Sequence, residues 1–217
     1  MDRTQRRESP NGVSGASRVT SRLTGLVGVA VLLIAGLASA SEDVFEINQA
    51  CAVGAGCFPG DAPGFPVTIG EPGRYRLTSN LAIADVDTSG IGLSGAIAGL
   101  VWIDLGGFEI RGPVVCPLPP LGCPLSGGTG DGIHFVATDL RSSLAVENGS
   151  IVGMGRYAVY SSARPALIRG IRASHSGGRY GILVAEGSII SDSASSLNAG
   201  GGFFIEKGLS HSIRTAW

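Results

Sequence analysis

Carboxylate side chains are the first candidates for chemistry in this chain. Hydrolysis of a glycosidic bond requires two carboxylates about 5 to 10 Å apart on one surface. The repeated part of the chain contains six acids: Asp131, Asp139, Glu147, Glu186, Asp192 and Glu206. No two of them are adjacent, and they do not occupy equivalent positions in the repeat described below. We therefore predict no catalytic residue, and we interpret Asp192 as an ion-pair partner of Arg169, one repeat earlier.

Aromatic rings and guanidinium groups are the second candidates. Rings recur at a constant step, at His134, Tyr157, Tyr180 and Phe203. In one interpretation these rings form a ladder of stacked side chains that stabilises the fold. In the other, a strip of rings and guanidinium groups binds an acidic polysaccharide, because neighbouring like charges repel unless an anion lies between them. The residues of this predicted ligand-binding strip are Arg156, Tyr157, Arg179 and Tyr180.

Histidine spacing and glycine motifs give no indication of a metal or a cofactor. His134, His175 and His211 share no spacing that metal sites use. Residues 153–158 fit the pattern G-x-G-x-x-A of dinucleotide-binding proteins, but Pro165 interrupts the helix that this pattern requires. We therefore predict neither a metal site nor a cofactor.

A repeat of 23 residues, the step from Gly132 to Gly155 (155 − 132 = 23), must position these side chains. One glycine column and two apolar columns keep the same step as the rings: Gly132, Gly155, Gly178, Gly201; Val136, Val159, Ile182, Ile205; and Leu144, Leu167, Ile190, Ile213. Such a unit is too short for the helix pairs of most α-solenoids. Its apolar runs are short, rich in β-branched residues and bounded by Gly or Ser, as strands are. The repeat predicts coils of strands that stack through parallel ladders about 4.8 Å apart, with right-handed connections.

Three stretches resemble the rungs of right-handed parallel β-helix proteins, the pectin-lyase-like superfamily. They are residues 104–112, 178–184 and 186–191. The resemblance extends over residues 66–217 and implies an all-β fold, a right-handed parallel β-helix, with Pro-rich residues 113–130 inserted as a projecting loop. Loops of this kind often carry function.

The same resemblance implies a carbohydrate as the ligand. We expect a structural or adhesive protein without a recognisable active site, which binds a polysaccharide. The alternative is a divergent polysaccharide lyase or glycoside hydrolase, in which turnover depends on Asp104 or Asp131. Leu105 follows Asp104 where pectate-lyase-like enzymes carry His, so the match to those enzymes is incomplete.

The N-terminus has the pattern of an export signal. Five arginines precede an apolar run from Leu23 to Ala40, which ends in small residues. Residues 1–40 are predicted to form a signal helix that is cleaved before Ser41, which implies a secreted or periplasmic protein. The alternative is a retained membrane anchor. Beyond Ala40 the chain has 11 basic and 15 acidic residues without runs, so no nucleic-acid partner and no membrane contact after cleavage are expected.

Four cysteines in an exported chain favour two disulfides. The pairs predicted are Cys51–Cys57 and Cys116–Cys123, because each closes a short loop with Gly and Pro. Metal binding is the rival, but neither pair has further ligands at zinc spacing. Residues 41–65 are predicted to be a cover over the first coil. The last coil lacks a polar cap, so we expect either truncation or self-association through this C-terminal rung.

Overall fold

The described part of the chain is nearly all β. The computed structural model describes residues 43–117, 123–125, 127–206 and, as a strand, 212–214. These residues lie in one compact unit, Ser41–Trp217. They form sixteen strands and one short helix, α1 (Gln49–Val53). The strands are β1 (Val44–Ile47), β2 (Val67–Ile69), β3 (Gly73–Leu77), β4 (Leu81–Ala82), β5 (Ile91–Leu93), β6 (Leu100–Asp104), β7 (Glu109–Arg111), β8 (Ile133–Phe135), β9 (Ser143–Val152), β10 (Val159–Ser161), β11 (Ala166–Ser174), β12 (Tyr180–Val184), β13 (Ile189–Ser191), β14 (Ala194–Ser196), β15 (Gly201–Ile205) and β16 (Ser212–Arg214).

These strands form two sheets, and every strand pair is parallel. The large sheet has the order β1-β3-β6-β9-β11-β13-β16, with β4, β7 and β14 beside this path. The small sheet has the order β2-β5-β8-β10-β12-β15. From β2 onward the chain alternates between the sheets, and each return adds a strand next to the previous one. The apolar runs of the sequence predict strands at 90–93, 100–105 and 108–110, and the bounds of β5, β6 and β7 agree with these to within one residue.

The interior of the small sheet consists of two rows of side chains that run from strand to strand. Alternate residues of each strand point inward, as the period of two requires. The two buried rows are Val67, Ile91, Ile133, Val159, Ile182 and Ile69, Leu93, Phe135, Ser161, Val184. Each buried apolar side chain contributes about 1.5–3 kcal/mol. The residues between them point outward, so this burial determines which side chains reach the surface.

The constant step predicted from the sequence is wrong for most of the chain. Val159 does pair with Ile182, and Ile190 with Ile213, as that step requires. Ile182, however, pairs with Phe203, and Ile205 pairs with Val184 instead. Ile133 pairs with Val159, whereas one predicted step from Ile133 leads to Arg156. The physical reason is that ladder hydrogen bonds fix the register within strands, whereas the turns between strands vary in length at little cost.

In the large sheet the step between paired residues is constant from β9 to β11 and from β11 to β13, but it is one residue shorter than predicted. Residues with a left-handed backbone conformation recur at this shorter step. One column with positive φ comprises Asn148 (φ 59°), Gly170 (φ 64°) and Asp192 (φ 51°), and a second comprises Gly153 (φ 71°), His175 (φ 58°) and Leu197 (φ 53°). Left-handed conformations are favoured by Gly and tolerated by Asn and Asp. The first column lies inside β9 and β11 and between β13 and β14, where the chain bends. We call this column the left-handed corner.

Both disulfides have the predicted local pairing. Cys51–Cys57 joins α1 to the following loop, and Cys116–Cys123 lies within the insertion. The helix begins with a capping interaction, in which the Asn48 side chain accepts the amide proton of Cys51 at 2.9 Å. Within the predicted cover, Val44–Ile47 is part of the sheet, because β1 pairs in parallel with β3.

The insertion does not project from the fold where its residues are described. The Val114 amide donates to the Gly153 carbonyl at 2.8 Å. Further along, the sulfur of Cys116 lies 3.8 Å from the His175 carbonyl oxygen, and that of Cys123 lies 2.9 Å from the Leu197 carbonyl oxygen. The insertion therefore contacts the residues that directly follow β9, β11 and β14, at the second left-handed column.

No helix among the described residues is long and apolar enough to cross a membrane, and the predicted signal at 1–40 lies outside these residues.

The left-handed corner can be tested at Gly170. We expect Gly170→Ala to lower the free energy of unfolding by about 1–2 kcal/mol, because a Cβ disfavours this conformation. The space itself is sufficient, since the nearest atom to that Cβ would be at 3.6 Å. Gly170→Asn is expected to lose less than half as much, because Asn148 already adopts this conformation one coil earlier. Urea denaturation measures both variants.

Gly70→Ala is the matched control, because Gly70 has no positive φ and no atom within 4 Å of the added Cβ. It is expected to be neutral or slightly stabilising. Equal losses for the alanine and asparagine variants at Gly170 would contradict a conformational origin.

Candidate functional site

The centre of the predicted ligand-binding strip is an ion pair. Asp131 is fully buried, and one of its carboxylate oxygens accepts from Arg156 Nε and from the Tyr157 amide, both at 3.0 Å. The other oxygen accepts from Arg156 Nη2 at 2.6 Å and lies 2.7 Å from His134 Nδ1. Hydrogen bonding to Asp131 raises the pKa of Arg156 above its ordinary value. The charge of Arg156 is therefore matched by Asp131, so it does not require an external anion.

Stacked rings cover this ion pair. The guanidinium carbon of Arg156 lies 5.0 Å from the ring centroid of Tyr157 and 5.1 Å from that of Tyr160, within the range of cation–π contacts. Tyr160 stacks on His134 with centroids 5.4 Å apart, and on Tyr157 at 5.8 Å. Sequence reasoning missed Tyr160, because the predicted step leads from His134 to Tyr157, whereas the register pairs His134 with Tyr160. The only sequence feature that could have identified Tyr160 is that it is an aromatic residue at an outward position of β10.

The other two predicted strip residues lie on the next coil. Tyr180 stacks on Phe204 with ring centroids 4.6 Å apart. Arg179 is exposed and has no ion-pair partner among the residues that the structure describes. The structure thus brings Arg156 and Tyr157 together with Asp131, and it places Arg179 and Tyr180 in a separate, more open environment.

A second surface with polar and aromatic character lies on the outer face of the large sheet. A cavity of about 300 Å³ opens there, and we call it the Trp102 cleft. Its polar and aromatic lining comes from β1, β3, β6 and β9: Glu46, Arg74, Tyr75, Arg76, Trp102, Asp104 and Glu147. The guanidinium carbon of Arg74 lies 4.4 Å from the centroid of the Trp102 ring. An adjoining, mostly apolar cavity of about 210 Å³ is also lined by Trp102 and Glu147, so the two cavities meet at these residues.

Charged residues form a row across the floor of this cleft. The register pairs Glu46 with Arg76, Arg76 with Asp104, Asp104 with Glu147, and Glu147 with Arg169. The sign alternates except at Asp104 and Glu147, where two carboxylates are direct neighbours. Like charges opposite each other in a sheet are destabilising. This pair is therefore the place in the row where the arrangement is unfavourable for the fold alone.

Three donors hold Asp104 in place. The Gly106 amide donates to its Oδ1 at 2.8 Å, and Asn148 Nδ2 lies 3.3 Å from the same oxygen. Arg76 Nε lies 3.5 Å from the other oxygen. The pairing of Asp104 with Glu147 could not be read from the sequence, because a long segment that includes the insertion separates them.

The remaining acids form surface pairs or none. Asp139 pairs with Arg141 at 2.9 Å, and hydrogen bonding from Arg141 lowers the pKa of Asp139 to about 2. Glu186 pairs with Arg164 at 2.7 Å. The pair predicted between Asp192 and Arg169 is wrong. No ion pair joins them among the described residues, because the register places Arg169 beside Ser191, the residue before Asp192.

A search of the described residues finds no group of three or more His, Cys, Asp or Glu side chains that could hold a metal ion. Comparison of the chain with protein-family models, curated proteins and solved structures gives no match in any of the three. The geometry of the two surfaces is therefore the basis for assigning a function.

The role of Arg156 can be separated from that of Arg179 by stability. We expect Arg156→Ala to lower the free energy of unfolding by about 3 kcal/mol, because it leaves the Asp131 carboxylate buried without its partner. This value is at the lower end for a buried pair, since 33% of the Arg156 side chain is exposed. Arg179→Ala, the matched control, is expected to change stability by less than about 0.5 kcal/mol.

Chemical denaturation of both variants measures the difference. Similar, small losses for the two arginines would show that the Asp131 ion pair is not structural.

Proposed function

We propose that the chain is an exported right-handed parallel β-helix of structural or adhesive type that binds carbohydrate. The alternation between two parallel sheets supports the architecture, and parallel connections of this kind are right-handed in nearly all proteins. Two disulfides support an oxidising location, secreted or periplasmic, because such bonds persist mainly there. The superfamily resemblance adds carbohydrate as the ligand class.

The observation that carries the proposal is the position of Trp102 between two open cavities. A sugar ring has apolar C–H faces and a rim of hydroxyl groups, so its binding requires an aromatic surface beside hydrogen-bonding groups. Trp102 lines both cavities, with the Arg74 guanidinium over its ring, and Arg76, Asp104 and Glu147 provide donors and acceptors along one side. The two cavities extend over strands β1 to β11, which suits an extended oligosaccharide better than a single sugar.

The predicted ligand-binding strip, which we now call the ring strip, is less suited to an acidic glycan than the sequence suggested. Asp131 neutralises Arg156, so the repulsion between two arginines that an anion would relieve is largely absent. Arg179 and Tyr180 remain candidates for a glycan contact. They serve as the comparison site in the binding experiment.

Fluorescence of Trp102 tests carbohydrate binding directly. In a Trp217→Phe background, Trp102 is the only tryptophan, so a bound oligosaccharide is expected to change its emission. With a panel of neutral, acidic and basic oligosaccharides, we expect Trp102→Ala to weaken binding of the best ligand by about tenfold, equivalent to about 1.4 kcal/mol. Trp102→Phe is the matched control and should retain most of the affinity. Because Trp102→Ala and Trp102→Phe in this background contain no tryptophan, their binding is measured by calorimetry.

A double variant, Arg179→Ala with Tyr180→Ala, tests the other surface. Loss of binding in this variant, with full affinity in Trp102→Ala, would move the site to the ring strip. No binding to any member of the panel would reject the proposed ligand class.

The second candidate function is glycoside hydrolysis, and the pairing of Asp104 with Glu147 favours it. Adjacent strands lie about 4.8 Å apart, and retaining glycosidases place their two carboxyl groups about 5–5.5 Å apart. Both side chains line the Trp102 cleft. In such a reaction one carboxyl group protonates the leaving oxygen while the other attacks the sugar carbon. Asp131, the other acid that the sequence suggested, is fully buried and cannot reach a substrate.

Product analysis distinguishes hydrolysis from binding alone. If the chain is a hydrolase, it should release reducing ends from one polysaccharide of a panel, and Asp104→Asn and Glu147→Gln should each lower the rate at least about a hundredfold, as loss of an acid–base group does. Glu46→Gln is the matched control, since it lines the same cleft but is not a partner of Glu147 in the register. A lyase would instead release unsaturated, ultraviolet-absorbing products. Binding without any product favours the adhesive function.

A further inference from the structure

Three aromatic rings form a corner at the N-terminal end of the described chain. Phe45 on β1 and Tyr75 on β3 are stacked, with centroids 5.3 Å apart and planes 24° apart. Phe58, in the loop after the first disulfide, is tilted by 57° to Phe45 and by 59° to Tyr75. Tyr75 is buried at the base of the corner, whereas Phe45 and Phe58 are half-buried. We call this group the aromatic corner.

A cavity of about 360 Å³ opens beside the aromatic corner. Gly60 and Gly70 form part of its wall, and a Cβ added at either position would meet no atom within 4 Å. The cavity is thus widened by missing side chains as well as lined by rings. Its volume lies within the range of sites for small molecules.

The loop that carries Phe58 is fixed in place. Cys57 is tied to Cys51 by the disulfide, and the Cys57 amide donates to the buried carboxylate of Asp61 at 2.8 Å. The other oxygen of Asp61 accepts from the Thr68 amide at 2.8 Å. The rings therefore have their positions before any ligand binds, which lowers the entropic cost of binding.

The charge around the cavity is negative. Among the residues that the structure describes, Glu71 is the one carboxylate in the lining, and no Lys, Arg or His side chain lines it. The Tyr75 hydroxyl donates to the Glu71 backbone carbonyl at 2.9 Å, which fixes the phenol. Burial, and then the negative charge of Glu71, raise the pKa of Tyr75, so the carboxylate is close enough to act on the ring.

Ring faces carry negative electrostatic potential, and they attract cations most strongly where water is excluded. An anionic ligand is repelled by the Glu71 carboxylate and by the ring faces, whereas a neutral ligand gains apolar contact but no charge attraction. From the three rings, the open cavity and the single carboxylate, we infer that the aromatic corner binds an organic ammonium ion, such as the trimethylammonium group of choline. This inference does not depend on the Trp102 cleft or on carbohydrate binding.

Calorimetric titration of the full chain with choline tests the inference. The decisive comparison is 3,3-dimethylbutan-1-ol, which has the shape of choline without its charge. Choline is expected to bind about two- to thirtyfold more tightly than the neutral alcohol, equivalent to the roughly 0.5–2 kcal/mol of a cation–π contact. Equal affinities would show an apolar cleft without cation selectivity and would overturn the inference, as would no binding of choline.

Two variants locate the binding. Phe58→Leu keeps an apolar side chain but removes the ring, and it is expected to reduce the preference for choline over the alcohol, because Phe45, Tyr75 and Glu71 remain. Glu71→Gln is expected to weaken choline binding without affecting the alcohol. Thermal denaturation confirms that both variants fold, and Tyr180→Ala, on a different surface, is the matched control. Unchanged selectivity in Phe58→Leu would overturn the assignment to this corner.

The affinities of choline and phosphocholine show whether the site accepts the trimethylammonium group from free choline or from a phosphate ester. The carboxylate of Glu71 should repel the phosphate, so free choline is expected to bind more tightly, and Glu71→Gln is expected to reduce this difference. Tighter binding of phosphocholine by the unaltered chain would contradict the role assigned to Glu71.

Discussion

The parallel ladder between successive coils is the constraint on which every other feature depends. Each strand lies beside a strand of the neighbouring coil that is remote in the sequence, and its backbone hydrogen bonds fix which side chains become neighbours. The inward rows exclude water and leave no freedom to slip by one residue, because a slip would turn the core side chains outward. Both candidate surfaces are consequences of this register. Trp102 meets Arg74, and Tyr160 meets His134, only because their strands are paired.

Much of the fold was accessible from the sequence because it depends on local patterns. Short apolar runs, rich in β-branched residues, identified several strands to within one residue, and the short spacing within each cysteine pair identified both disulfides. The exact register was not accessible in the same way. A turn can gain or lose residues while each strand keeps its inward pattern, so a period that fits Val159 and Ile182 fails at Ile205. The left-handed corner is the better marker, because a bend tolerates few residue types.

The candidate surfaces show the same division between local and long-range information. Arg156 and Tyr157 were identified because the repeat step relates them to Arg179 and Tyr180, but their buried partner, Asp131, was considered only as an acid for chemistry. A buried carboxylate and an exposed one look alike in a sequence. The neighbouring carboxylates Asp104 and Glu147 were missed because the length of the insertion sets their alignment. No pattern within either strand contains that information.

The position of the insertion affects how the molecule unfolds. In repeat proteins each unit touches only its neighbours, so unfolding can begin at one end and proceed one unit at a time. Here a single segment touches Gly153, His175 and Leu197, which directly follow β9, β11 and β14, and a disulfide closes it. Loss of the outermost of these strands must break contacts to the segment that the inner strands share. The segment thereby couples neighbouring units that the ladder alone joins only in pairs, and it converts a sequential process into a cooperative one.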